Sequence, residues 1–220
     1  MRKDIVTSII AIVFFTLLLG IAYPLVITGV SQVAFPGNAN GQKLYVNGKL
    51  VGSKSIGQSF RKPVIGKNGK PEEKEEEVVT EPDPRYFQSR PSATEGGEYN
   101  AAASAFSNRG PNSVATKEDD EENLKAYLEL EKPYDPGLTA AQVPVDAVNT
   151  SASNLDPDIS QANARIQAHR ISAQRHLSLA TVDGLISDYT SERGLLVFGE
   201  PAVNVLELNL ALDRLTGANS

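Results

Sequence analysis

The sequence contains no cysteine, only two histidines and one methionine among its 220 residues. The absence of cysteine excludes a disulfide-stabilised scaffold, thiolate metal sites and a cysteine nucleophile. This composition permits an oxidising compartment without showing one. The length fits one domain, or one small domain with an appendage.

The chain also lacks the motifs of nucleotide-driven chemistry. It has no G-x-x-x-x-G-K-S/T phosphate loop and no G-x-G-x-x-G turn. It contains neither the Asp-Lys-Thr-Gly phosphorylation loop of P-type pumps nor the Thr-Val-Gly-Tyr-Gly filter of potassium channels. By itself the chain is therefore neither a pump core nor a channel filter.

Basic residues are fewer than acidic ones, 21 against 27, but the acidic residues are unevenly distributed. The segments 72–83 and 118–131 carry seven acidic residues each, and the rest of the chain is mildly basic. No concentrated basic patch is left for a polyanion. We therefore expect no nucleic-acid partner.

A long uncharged segment opens the chain. Residues 5–42 contain no charged side chain, and the run is strongly apolar as far as Val33. A membrane-spanning helix needs about 20 apolar residues, so this run is long enough. A cleaved signal peptide is the alternative, because Arg2 and Lys3 form a basic start and residues 20–22 a small-x-small site. The apolar run continues well past that site, which favours an uncleaved single-pass anchor in membrane lipid.

We place this anchor in residues 1–35, with Ile5, Gly20, Tyr23 and Pro24 as its marker residues. Pro24 is expected to kink or end the regular helix, because proline removes one N–H and clashes one turn back. Basic residues flank the anchor almost evenly on both sides, so charge alone does not set its orientation. We predict a cytoplasmic N-terminus and an extracytoplasmic domain over residues 36–220.

That domain is predicted to be α+β, a small sheet with three or four helices. Two β-prone runs around Asn47-Gly48 predict a hairpin over Lys43–Ser53. Acidic loop insertions are expected at 66–84 and 117–134, the first a solvated loop and the second carrying an amphipathic helix over Glu118–Leu130. A small-residue segment, Tyr99–Ser113, is expected to be a compact irregular loop held by backbone hydrogen bonds.

Three more helices follow from spacing and capping. Ser160 is a candidate N-cap for a helix to about Gln174, although Asp156-Pro157 offers a competing start. Val182–Tyr189 fits the helical period, and a strand is expected over Leu195–Phe198. The last helix has Asn204 as N-cap, Glu207 completing a capping box, and one apolar face. That face comprises Val205, Leu208, Leu212 and Leu215.

Few residues indicate chemistry. His169 and His176 lack a nearby third ligand, so they make a poor zinc site and no metal is expected. Ser151, Ser153, Asp156 and His169 permit the interpretation of a Ser/His/Asp hydrolase, but Ser-rich and Asp-Pro segments are also ordinary turn chemistry. Arg90 and Arg109 each precede a proline-stiffened turn, where arginine usually binds loop carbonyls and otherwise contacts a partner.

Ordered blocks along nearly the whole chain resemble the C subunit family of Kdp-type potassium-transporting ATPases. The most specific are Ser151-Ala152-Ser153 and Gly199-Glu200-Pro201. The other matching blocks are Tyr23–Val26, Gly57–Phe60, Tyr86-Phe87, Arg90–Ala93, Tyr99–Ser104, Asn108 with 110–111, Val143-Pro144, Leu155–Pro157, Ile159-Ser160, Asn163–Arg165 and Val203–Asp213. The chain departs from the family in having Asn154 where glycine is usual, and in its longer acidic stretches.

The resemblance implies a non-catalytic accessory subunit of a bacterial plasma-membrane complex for potassium uptake. Its implied partners are a potassium-channel-like subunit and a P-type ATP-hydrolysing subunit. It further implies a chaperone that contacts ATP and raises the ATP affinity of the catalytic subunit. An extracytoplasmic domain does not meet cytoplasmic ATP, so complex stabilisation is the favoured role.

Under the opposite topology, polar residues of the matching blocks become candidates for nucleotide or partner contact. They are Arg90, Asn100, Ser104, Asn108, Arg109, Ser151, Ser153 and Asp156. Two alternatives remain open at this point. One is a membrane-anchored extracytoplasmic hydrolase, and the other is a secreted binding domain.

Overall fold

A computed structural model describes residues 2–74, 77–94, 98–104, 108–110, 112–194 and 197–217. The chain divides into two compact units, Met1–Val51 and Gly52–Ser220. The predicted division at residues 35 and 36 does not coincide with this one and remains a prediction. The mixture of helices and strands confirms the α+β class, with one N-terminal apolar helix that could span a membrane.

The first unit begins with that helix, which runs without a break from Arg2 to Ala34. It consists of α1 (Arg2–Leu17), a π-helical turn (Leu18–Ala22) and α2 (Tyr23–Ala34). In the π turn the Tyr23 N–H donates to the Leu18 carbonyl, five residues back. This wider turn precedes Pro24, which lacks an N–H, so the helix continues through the proline. Of the two effects expected of Pro24, a kink or the end of the regular helix, the helix does not end there, and its regular α-helical pattern is interrupted by the π turn that precedes the proline.

A short helix α3 (Pro36–Ala39) and the predicted hairpin follow. The hairpin strands are β1 (Lys43–Val46) and β2 (Lys49–Ser53), and β2 crosses the boundary between the units. Asn47 and Gly48 turn the chain with φ of 50° and 76°, the left-handed values that a two-residue hairpin turn requires. The hairpin prediction is confirmed.

Within the second unit, the segment expected to be a solvated loop at 66–84 instead forms paired strands. Strand β3 (Arg61–Pro63) pairs antiparallel with β6 (Thr80–Pro82), and β4 (Glu73–Lys74) with β5 (Glu77–Val78). Backbone hydrogen bonds order this hairpin without apolar burial, which is why composition did not predict it. The second acidic insertion carries the predicted helix, which is α4 (Val114–Glu131) and starts four residues earlier than expected.

The remaining helices carry the core. They are α5 (Gln161–Arg175), α6 (Leu179–Asp188) and α7 (Val205–Thr216). The side chain of Ser160 accepts from the Asn163 N–H, so Ser160 is the N-cap and the earlier start at Asp156-Pro157 is wrong. Asn204 caps α7 by accepting from the Glu207 N–H, while the Glu207 carboxylate pairs with Lys54. Leu215, expected on the buried face, is half exposed because it lies at the end of α7.

A three-stranded sheet in the order β7-β9-β8 packs on these helices. Its strands are β7 (Asp158–Ser160), β8 (Thr190–Ser191) and β9 (Ala202–Asn204), all paired antiparallel. The strand predicted at Leu195–Phe198 lies partly outside the described residues, and its described end forms a turn in which Phe198 bridges Gly194. The core residues are Phe87, Ile159, Ala164, Ala168, Ile171, Val182, Ile186, Val203, Val205, Leu208 and Leu212.

Candidate functional site

Three polar segments of the second unit meet in a group that we call the loop cluster, comprising 90–94, 98–104 and 149–158. Arg90 lies at its centre. Its Nη1 donates to Asp156 Oδ2 at 3.0 Å and its Nη2 to Asn149 Oδ1 at 2.8 Å. The Thr150 carbonyl accepts a further bond from Nη2 at 3.3 Å. One guanidinium thus ties together segments about 60 residues apart in sequence.

Hydroxyl groups hold the Tyr99 turn against the 92–94 segment. The Tyr99 N–H donates to Ser92 Oγ at 3.1 Å, and the Asn100 N–H to Thr94 Oγ1 at 3.0 Å. The Tyr99 hydroxyl donates to the Arg90 carbonyl at 2.7 Å. Burial raises the pKa of this phenol above its ordinary value, so it stays a protonated donor. Side-chain hydroxyls thus hold the Tyr99 turn, and the described part of the predicted loop also has the expected backbone bonds, from the Ala103 N–H to the Asn100 carbonyl and from the Ser113 N–H to the Gly110 carbonyl, both at 3.0 Å.

Asn154 explains one departure from the resembled family. Its φ is 57°, in the left-handed region where glycine and asparagine are the residues best tolerated. An asparagine thus fits a position where the family usually has glycine. Its carbonyl accepts from Ser92 Oγ at 2.9 Å and its Oδ1 from the Ala93 N–H at 3.1 Å. Glycine at this position could not accept the second of these hydrogen bonds, because that bond uses the asparagine side chain.

The serines of the cluster bond their hydroxyls to backbone groups. Ser104 Oγ donates to the Ser153 carbonyl at 3.2 Å, and Ser153 Oγ accepts from the Leu155 N–H at 3.1 Å. Ser151 is buried and its Oγ accepts from the Asp156 N–H at 3.4 Å. His169 is exposed on α5, and His176 is the left-handed C-cap that ends that helix. These serine hydroxyls bond to the backbone, which is not the arrangement of an activated nucleophile.

Asn108 and Arg109 lie at the exposed edge of this region. Asn108 has a φ of 55° and is exposed. Arg109 Nη1 pairs with Asp119 Oδ2 of α4 at 2.5 Å. Arg109, Asp119, Asn149 and Ser151 contribute to the lining of a cleft of about 400 Å³. The structure therefore brings Arg90, Asn100, Ser104, Ser151, Ser153 and Asp156 together, with Arg109 across a cleft from Ser151.

A second cleft of about 180 Å³ lies on the other side of Arg90. Ser59 Oγ donates to Glu98 Oε2 there at 2.9 Å, and Arg61 Nη1 lies 3.7 Å from Glu98 Oε1. From α4, Asn123 and Tyr127 complete the wall. Sequence reasoning missed all of these lining residues as site candidates except Arg90. Ser59 lies in a block that carried the resemblance, which was the one available signal.

The chemistry of the clefts is that of a preorganised polar surface. Among the described residues, no group of three or more His, Cys, Asp or Glu could hold a metal ion. The hydroxyls and the Arg90 guanidinium are largely committed to internal bonds. This pattern stabilises a defined surface shape, and in the described part of the clefts no serine hydroxyl is bonded to a histidine as the nucleophile of a Ser/His/Asp site would be.

The marker residues of the apolar helix occupy its first and middle turns. Ile5 lies in α1, Gly20 in the π turn, and Tyr23 and Pro24 at the start of α2. All four are exposed in the single chain. A Cβ added at Gly20 would meet only Thr16 Cγ2, at 3.9 Å. The helix thus offers a small-residue surface to a neighbouring helix.

One apolar helix that could cross a membrane and an α+β domain with an internally bonded polar surface define a class of candidate: a single-pass accessory protein. Comparison with known proteins makes this specific. The family model described as KdpC, the c chain of the K+-transporting ATPase, matches residues 5–214. The chain therefore belongs to the KdpC family, whose members are subunits and not catalytic enzymes by themselves.

Individual relatives agree. A protein of Methylococcus capsulatus named Potassium-transporting ATPase KdpC subunit is 41% identical over 208 residues, 94% of this chain and 96% of that protein. A protein of the same name from Mycobacterium tuberculosis is 41% identical over 216 residues, 98% of this chain and 100% of that protein. A third, from Herpetosiphon aurantiacus, is 40% identical over 215 residues, 98% of each chain.

Proposed function

We propose that this chain is an accessory subunit of a high-affinity, ATP-driven potassium uptake complex in the bacterial plasma membrane. The observation that carries the proposal is the family match across residues 5–214. Its partners in the proposal are a potassium-channel-like subunit and a P-type ATP-hydrolysing subunit. The chain stabilises their assembly and has no turnover of its own.

In this proposal the helix Arg2–Ala34 spans the membrane with a cytoplasmic N-terminus. Gly20 supplies the small surface that packs against a partner helix, because in lipid the association of apolar helices depends on close packing. The domain beyond the helix lies outside the cytoplasm and covers the side where potassium enters. The basic pair Arg2 and Lys3 next to the apolar run supports this orientation.

The proposed anchor contact is tested by Gly20→Leu. The larger side chain should hold the partner helix away and lower co-purification with the channel-like subunit in mild detergent. His169→Ala is the control, since this exposed side chain lies on α5, outside the loop cluster. Equal recovery of the partner by both variants would contradict the proposed contact.

Any rise in the ATP affinity of the catalytic subunit acts, in this proposal, through assembly and not through ATP bound to this chain. The support is that Arg90, Ser104, Ser151, Ser153 and Asp156 already bond to the chain itself. A nucleotide would have to compete with these internal bonds. We propose instead that the loop cluster, with the exposed Asn108 and Arg109 at its edge, contacts a partner subunit.

Two measurements separate these roles. Equilibrium binding of Mg-ATP to the full chain in nanodiscs should show no saturable binding at millimolar nucleotide. Arg109→Glu should lower recovery of the partner subunits, while Arg165→Glu on the exposed face of α5 should not. Saturable ATP binding that Arg109→Glu abolishes would favour the nucleotide role over the contact role.

A further inference from the structure

Helix α4 carries a groove on the side away from the loop cluster. Leu124 and Leu128 contribute its apolar floor, Pro133 lies at its C-terminal end, and its volume is about 590 Å³. The groove is mostly apolar although it lies in the most acidic part of the chain. The groove takes no part in the proposed anchor contact or in the proposed loop-cluster contact, so it is available to a different partner.

Four charged residues border this groove with alternating sign along the helix: Glu121, Lys125, Glu129 and Lys132. Within the helix, Lys125 Nζ lies 4.0 Å from Glu129 Oε1, and both side chains are about 70% exposed or more. Ion pairs of this kind contribute little to helix stability. The charges can therefore pair with an incoming surface at small cost.

The alternation makes the groove complementary to itself in one direction only. When a second copy of α4 lies antiparallel, Glu121 meets Lys132 and Lys125 meets Glu129 of the other copy. The midpoints of these two pairings fall at positions 126.5 and 127, about 0.75 Å apart at 1.5 Å per residue, so one two-fold axis satisfies both. A parallel copy would place like charges opposite each other.

We propose that α4 is a homotypic contact, in which two copies of this chain pair antiparallel through Leu124 and Leu128. A two-fold contact of this kind uses the same patch twice, as closed dimers do. The interface is small, so it is weak between free molecules. Confinement of both copies to one membrane raises their effective concentration and makes a weak contact sufficient.

Because the native chain contains no cysteine, an introduced cysteine supplies the only thiol for a cross-linker. Leu128→Cys in the full chain, reconstituted in proteoliposomes and treated with a short bismaleimide, should give a cross-linked dimer. Ala126→Cys is the matched control, because Ala126 is exposed on the same helix but lines the other cleft. We expect at least a fivefold higher dimer yield from Leu128→Cys.

Charge reversal tests the direction of pairing. In the Leu128→Cys background, Glu121→Lys and Lys132→Glu should each lower the dimer yield at least threefold. The double variant should restore it, because the lysine introduced at position 121 then faces the glutamate introduced at position 132 of the other copy. The proposal would be overturned if the dimer yield did not change with these charge substitutions, or if the cross-link formed only to a different subunit.

A second measurement covers the case in which Leu128→Cys folds poorly. Two copies with different affinity tags and a native Leu128 are co-expressed, and the recovery of one with the other is measured. The same charge series should lower and then restore that recovery. Failure to recover the second tag in the native sequence overturns the proposal and leaves the accessory-subunit function untouched.

Discussion

Arg170 is a buried residue that joins several elements of the second unit. Its side chain is fully buried, and its Nε donates to Glu131 Oε1 at 2.9 Å. Its Nη1 donates to the carbonyls of Pro84 and Tyr86 at 2.7 and 2.9 Å. One guanidinium thus joins α4, α5 and the segment after β6. Burial raises the pKa of Glu131, and Arg170 opposes that rise.

Replacing Arg170 with leucine should lower the free energy of unfolding by about 3–5 kcal/mol, because it leaves the Glu131 carboxyl and the Pro84 carbonyl without Arg170 as their donor. Denaturant titration followed by circular dichroism measures this. Arg165→Leu is the matched control on an exposed turn of the same helix, with an expected change within about 0.5 kcal/mol. Similar losses from both substitutions would show that the buried pair has no special role.

Asp83 gives the domain a defined response to acid. The carboxylate is buried and accepts from Arg85 Nη2 at 2.7 Å and from the Arg85 N–H at 3.0 Å. Hydrogen bonds from Arg85 hold the pKa of Asp83 below its ordinary value, against the opposing effect of burial. The folded state therefore binds the proton less readily than the unfolded state does. The stability from this carboxylate is present above about pH 4 and is lost as the pH falls through the folded-state pKa.

We accordingly expect Asp83→Asn to cost about 1–2 kcal/mol at neutral pH and to flatten the dependence of stability on pH below about 4. The measurement is the unfolding midpoint in denaturant from pH 7 to pH 3. A variant whose curve stays parallel to that of the native chain through the acid range would refute the role of Asp83.

Among the secondary-structure elements, we expect the hairpin that runs from β3 to β6 to have a dispensable tip, residues 66–78, and a structural base. The described residues of the tip, 66–74 and 78, are largely exposed, while at the base Asp83 is buried and the Pro84 carbonyl accepts from Arg170. Replacing 66–78 with a short Gly/Ser linker should leave the unfolding midpoint nearly unchanged, since halving a loop changes closure entropy by only about 0.6 kcal/mol.

Extending the same replacement through Pro84 should unfold the domain, and limited proteolysis distinguishes the two outcomes. Loss of folding from the shorter replacement would show that the tip itself is structural. We therefore expect the dispensable part to end before residue 84, the end of the insertion that the sequence predicted.

The elements that sequence predicted are those specified locally. Ser160 and Asn204 cap helices through bonds to residues three positions ahead, and Asn47-Gly48 forms its turn alone, so short windows of sequence were sufficient. Strands β7, β8 and β9 are two or three residues long, and their pairing joins positions up to 46 residues apart. No periodicity develops over so few residues, which is why these strands were missed.

The candidate site likewise combines features specified by local sequence with features that depend on distant residues. The blocks containing Arg90, Ser151 and Asp156 could be selected from sequence, but their meeting depends on contacts across about 60 residues. Arg170 gave no local signal, because a buried arginine is indistinguishable in sequence from an exposed one until its partners are known. The role of Asn154 became clear only from its left-handed backbone.

At the scale of the whole molecule, the chain is a non-catalytic subunit that we propose works by assembly. The family match, the apolar helix and the internally committed polar groups support this proposal together. A complex that contains the chain should differ from one without it in how strongly potassium stimulates ATP hydrolysis. The hydrolysis itself belongs to other subunits in this proposal.

The most direct measurement is potassium-stimulated ATP hydrolysis by complexes purified with and without this chain, with the isolated chain assayed alongside. We predict stimulated hydrolysis only when the chain is present with its partners, and none from the chain alone. ATP hydrolysis by the isolated chain, or full potassium-stimulated activity of the partner subunits without it, would contradict the proposed role.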